Sequence, residues 1–128
     1  MAEPERDETT WEAERRETAA DWRDEIAAGR DTTADARDAI ADERDRLADE
    51  REVEMDARER HLEARAQELG VPFVHTQEEA DRIAMQRRYA QTLREAARQQ
   101  REARAVERAT ASAVREDAGK RRQQRRAE

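Results

Sequence analysis

The chain has 128 residues, of which 46 % are charged and 3 % aromatic, and it carries a net charge of −7. One Phe, one Tyr and two Trp are too few to build a thick globular core, and much of the apolar remainder is alanine, which buries little area per residue. The absence of cysteine excludes disulfides and thiolate chemistry, no apolar run reaches the ~20 residues of a membrane span, and the start "MAEPERDETT" lacks a signal-peptide pattern, so a cytoplasmic location is expected.

In chain order, residues 1–11 read as a flexible lead, with Thr9 or Thr10 available as a helix cap. A long acidic helix is then expected over 12–69. Its signature is an arginine at every seventh position: Arg16, Arg23, Arg30, Arg37, Arg44, Arg51, Arg58 and Arg65. An acid follows all but the last of these, and Ala13, Ala20, Ala27, Ala34, Ala41, Ala48, Met55 and Leu62 each precede one by three. Such a period marks a helix that packs along a seam. Gly29, Thr32 and Thr33 form a weak spot inside it, since Gly costs roughly 1 kcal/mol against Ala in a helix.

Gly70, Val71 and Pro72 end this helix: Gly suits a left-handed C-cap and Pro blocks continuation. The connection covers 70–76. Thr76 with Glu79 forms a capping box that opens a second helix over 77–118. That helix has its own arginine series, Arg87, Arg94, Arg101, Arg108 and Arg115, one residue out of phase with the first. Gly119 is expected to end it, leaving a flexible basic tail at 119–128. Residues 1–69 hold 12 Arg against 24 acids (−12), and residues 70–128 hold 14 basic residues against 9 acids (+5), so the halves attract each other or copies of each other. The fold class is therefore all-α: two long helices joined by a short loop, as a coiled coil or an elongated helical hairpin.

On a wheel of ~100° per residue, alanine sits at the front of the first helix, arginine about 50° to one side and the acid about 50° to the other. Ile26, Ile40 and Leu47 fall beyond the arginines, under their aliphatic stems. Asp35, Asp38, Asp42, Asp45, Asp49, Glu52 and Asp56 run down one edge at spacings of three and four, which sets like charges together. A solitary helix would not gain from this, so a partner presenting arginines to that edge is expected. An antiparallel pair of first helices would set Arg against Arg, so the pattern favours parallel, in-register pairing, which matches Arg37, Arg44 and Arg51 of one with Asp38, Asp45 and Glu52 of the other. An antiparallel hairpin within the chain is the competing arrangement, with Ile83, Tyr89, Leu93, Val106 and Val114 added to a thin core; a dimer of hairpins would use both.

No catalytic, cofactor-binding or metal-binding constellation is visible, and none is expected. His61 and His75 stand apart and read as solvated. The three glycines are too scattered to cradle phosphate. Trp11 and Trp22 share a face and read as packing anchors or as a partner-binding spot. The basic run Arg115, Lys120, Arg121, Arg122, Arg125 and Arg126 is a candidate for nucleic-acid phosphates, without aromatics for base stacking.

The phrase "ADARDAIADERDRLADERE" resembles the low-complexity Ala-x-x-Arg-Asp heptad tracts of many proteins of GC-rich bacteria, which often lie beside signalling domains. The resemblance covers roughly residues 13–66 and implies helical pairing; no output domain accompanies the tract here. Taken together, the expectation is a non-enzymatic protein for oligomerisation or scaffolding, acting through self-association or another helical protein, with nucleic-acid or acidic-surface binding through the basic half as the alternative.

Overall fold

The structure is a computed structural model that describes residues 3–128, with side chains described from Glu8 onward. Two helices account for nearly all of it: α1, Glu3–Leu69, and α2, Gln77–Ala127, with no strand among the described residues. Both are longer than their sequence signals. α1 begins at Glu3 rather than near residue 12, so the expected flexible lead is helical from residue 3, and residues 1–2 lie outside the described set. Pro4 is tolerated there because its missing N–H belongs to a turn whose donors have no intrahelical partner. α2 runs through Gly119 to Ala127. Gly119 carries no positive φ, and Arg122 and Arg126 beyond it hold carboxylates of α1, which opposes fraying.

The connection is built as its residues dictate. Gly70 takes φ 68°, the left-handed conformation that costs other residues steric strain. Its N–H donates to the Gln67 carbonyl at 3.2 Å, and the Val71 N–H donates to Ala66 at 3.0 Å, which closes the C-terminus as a Schellman motif. Across the loop, the Glu79 N–H donates to Thr76 Oγ1 at 3.2 Å, and the Thr76 N–H donates to the Glu79 carboxylate at 3.4 Å. The capping box thus forms reciprocally. Phe73 is half-buried, its ring edge-on to His75 at 5.8 Å, while Val71 and Val74 stay exposed.

The chain divides into two compact units: a loop unit, residues 38–102, and a terminal unit, residues 1–37 with 103–128. In the loop unit Arg87, Arg94 and Arg101 meet acids at progressively lower numbers on α1, so the helices there are antiparallel. In the terminal unit Arg108, Arg115 and Arg122 do the same. Neither unit has a dry core, since no described residue is fully buried. Half-buried alanines line the seam: Ala41, Ala48 and Ala66 of α1 and Ala80, Ala84, Ala90 and Ala97 of α2 in the loop unit, and Ala20, Ala27 and Ala34 with Ala105 and Ala118 in the terminal unit. The alanine stripe of the sequence is therefore the contact face. Of the larger residues expected in the core, Ile83 alone is half-buried. Tyr89, Leu93, Val106 and Val114 are more than half exposed, because α2 turns its arginines and alanines inward instead.

Candidate helix-pairing interface

The seam repeats one device. In the loop unit, Arg101 donates from Nε to Asp42 at 2.9 Å and from Nη2 to Asp45 at 2.5 Å. One heptad earlier on α2, Arg94 donates to Asp49 at 3.0 Å and to Glu52 at 2.6 Å. One heptad earlier again, Arg87 bridges Asp56 and Glu59, the latter at 2.7 Å. Seven residues forward on α2 match seven residues back on α1. Each guanidinium spans two carboxylates three residues apart, which lie on successive turns of one helix edge. The planar fork of arginine reaches both at once; a lysine ammonium is a single point charge without that fork.

The terminal unit follows the same rule with gaps. Arg122 bridges Asp21, at 3.0 Å, and Asp24. Arg126 bridges Glu17 at 3.1 Å and Asp21 at 2.7 Å. Arg115 reaches Asp31, while Ala28 occupies the place of a second acid, and Arg108 donates to Asp35. The seam arginines are mostly covered, with side-chain exposures of 12–24 % from Arg87 to Arg122.

These contacts set the ionisation of the seam. The hydrogen bond from Arg87 holds the Glu59 carboxyl below the usual carboxylate range, against the opposing effect of desolvation. Arg126, and then Arg122, do the same for Asp21. Hydrogen bonds to Glu52 and Asp45 likewise hold Arg94 and Arg101 more firmly charged.

The acidic edge therefore meets arginines, but those of α2. Asp45 and Glu52 are bound by Arg101 and Arg94, and Asp38 is half-buried. Arg37, Arg44 and Arg51 lie outside the seam and are exposed. Arg51 folds back to the Leu47 carbonyl at 3.4 Å, and Arg37 and Arg44 form no ion pair among the described residues. The reason is rotation: α2 covers the alanine front and the acidic side of α1, which carries the α1 arginines away from it. The signal in the sequence was the double acid column, spaced three and four, beside a single arginine column on the other helix.

The remaining candidates divide. Trp11 and Trp22 are 56 % and 64 % exposed and anchor no core; Arg15 stacks over Trp11 at 4.6 Å, and both rings line a shallow groove with Thr18 and Ala19. Ile40 is 56 % exposed, so arginine stems do not cover it. In the basic run, Arg115, Arg122 and Arg126 are engaged with α1, Arg121 pairs with Asp117 at 2.9 Å, and Arg125 approaches Glu17 at 3.8 Å. Lys120 is exposed. Among the described residues no group of three or more His, Asp or Glu converges as a metal site, and no helix is long and apolar enough to cross a membrane. No family model, curated protein or solved structure matches this chain.

Proposed function

We propose that this chain is a non-enzymatic helical module for oligomerisation or scaffolding. The observation that carries this reading is the outer surface. With the seam made of alanine and ion pairs, the bulky residues Trp22, Ile26, Ile40, Met85, Tyr89 and Leu93 all stand in solvent. Burial of such groups is the main source of helix-pairing energy, and exposed apolar patches mark contact surfaces. Sedimentation velocity over a concentration series is the test: the mass should rise above the monomer in the micromolar range. A chain that stays monomeric throughout contradicts the reading.

Nucleic-acid or acidic-surface binding is the second reading, supported by the exposed Lys120, Arg121 and Arg125 near the end of α2. Most other arginines of that run already hold carboxylates, which weakens a phosphate-tracking role. Retardation of duplex DNA that falls with salt and disappears when residues 115–128 are removed supports it.

A further inference from the structure

Directly behind the seam, each helix carries an uncharged heptad stripe. On α1 in the terminal unit it runs Ala19, Trp22, Ile26, Gly29, Thr33 and Ala36, all exposed. On α2 in the loop unit it runs Met85, Tyr89, Thr92, Ala96 and Gln99, again all exposed. The spacings alternate three and four, the period of a second helix-pairing seam. Gly29 belongs to this outer stripe, and a Cβ there would meet no side chain within 4 Å among the described residues. Its position is explained by no intrachain contact.

The residues beside each stripe select the partner. Arg23, Arg30 and Arg37 border the α1 stripe, and Arg30 and Arg37 form one shallow groove with Ile26, Gly29 and Thr33. On α2 the opposite border runs Arg88, Glu95 and Glu102, all exposed; among the described residues Glu95 pairs with the neighbouring Arg98 at 3.3 Å. When two helices pack in parallel, the right border of one meets the left border of the other. Arg30 and Arg37 of α1 then face the two α2 glutamates. Two α1 stripes packed antiparallel would set arginine against arginine. Packed in parallel, they would set the arginines against Glu25, Thr32, Ala39 and Arg46, which repeat no acid.

We propose that the outer face of α1 in one molecule packs in parallel on the outer face of α2 in a second copy, giving a head-to-tail assembly. In one register two charge pairs and the shape of the stripes agree, with Arg23 level with Arg88 as a like-charged pair at one end. Arg30 meets Glu95 and Arg37 meets Glu102, while Ala19 lies level with Tyr89, Trp22 with Thr92, Ile26 with Ala96 and Gly29 with Gln99. Large residues stand opposite small ones at three of these four levels, the interdigitation close packing requires. Because the two faces differ, the contact is head-to-tail, which continues as an open chain or closes as a ring. This inference rests on the assembly reading above.

The test uses the full chain at low salt. The parent should grow beyond a dimer with concentration in sedimentation velocity. A variant with Arg30→Glu and Arg37→Glu, and another with Glu95→Arg and Glu102→Arg, should each drop to monomer with unchanged helicity by circular dichroism. Mixed one to one they should co-assemble, and the chain carrying all four substitutions should recover growth, because each restores opposite signs across the contact. A parent that stops at a dimer overturns the head-to-tail arrangement and leaves the assembly reading standing. Variants that assemble like the parent, or a mixture and four-fold chain that stay monomeric, overturn the proposed contact. A parent that is monomeric at every concentration removes both.

Discussion

At the scale of the residue, the geometry explains why the seam uses arginine. Arg101 spans Asp42 and Asp45 with two different nitrogens, and Arg94 spans Asp49 and Glu52 in the same way. Lysine would keep the charge and lose the fork. Arg101→Lys should therefore lower stability in urea unfolding by about 0.5–1 kcal/mol, within the range of partly exposed ion pairs. Arg44→Lys, outside the seam, should change it by less than about 0.5 kcal/mol. Equal effects at the two positions would mean that the bridging geometry contributes nothing beyond charge. The arginine repeat has a reason within the chain on α2 that it lacks at Arg37 and Arg44 on α1.

At the scale of the element, α1 depends on α2. The acidic row of α1 is unfavourable alone and becomes useful beside the arginine column of α2. Glu59 in the loop unit and Asp21 in the terminal unit have carboxyl groups held below their ordinary values. A depressed folded-state pKa contributes stability that is present above the unfolded value and lost as pH falls through the folded one. The pairing should thus hold at neutral pH and open below about pH 4, the ordinary carboxylate range. Spin labels at Val53 and Gln91, both exposed in the loop unit, give the distance between the helices. That distance should lengthen and broaden at pH 3; an unchanged distribution would show that the carboxylates do not hold the pair. The helix ends follow local chemistry. Gly70, Thr76 and Glu79 formed the motifs their residue types predict, since capping needs only neighbours in sequence. Gly119 did not stop α2, because helix-to-helix contacts beyond it outweigh a cost of about 1 kcal/mol.

At the scale of the whole molecule, both units share one economy: alanine contact, bridging arginines and, among the described residues, none that is fully buried. Much of their pairing is therefore electrostatic and sensitive to ionic strength, since the screening length falls to about 3 Å in 1 M salt. The thermal midpoint, followed by circular dichroism, should drop on going from 20 mM to 1 M sodium chloride. A midpoint that rises would assign the pairing to apolar burial instead. The same thinness makes the outer stripes consequential, because they hold the apolar area that the seam does not use.

The sequence by itself determined the two-helix fold, the loop, both caps, the alanine front and the need for arginines opposite the acidic row. Each follows from periodicity or from chemistry between near neighbours. It favoured the arginines of a second α1, with those of α2 as the competing choice. Arg37, Arg44 and Arg51 carry a repeat as regular as that of Arg87, Arg94 and Arg101, and charge alone suits either series. Only the tertiary structure decided between them, through the rotation of α2 over the alanine and acid faces of α1, and with that rotation it left Trp22, Ile26, Tyr89 and Leu93 facing outward. Rotation about a helix axis depends on how two surfaces fit across a contact, and a single chain of residues does not specify that fit until both surfaces are present.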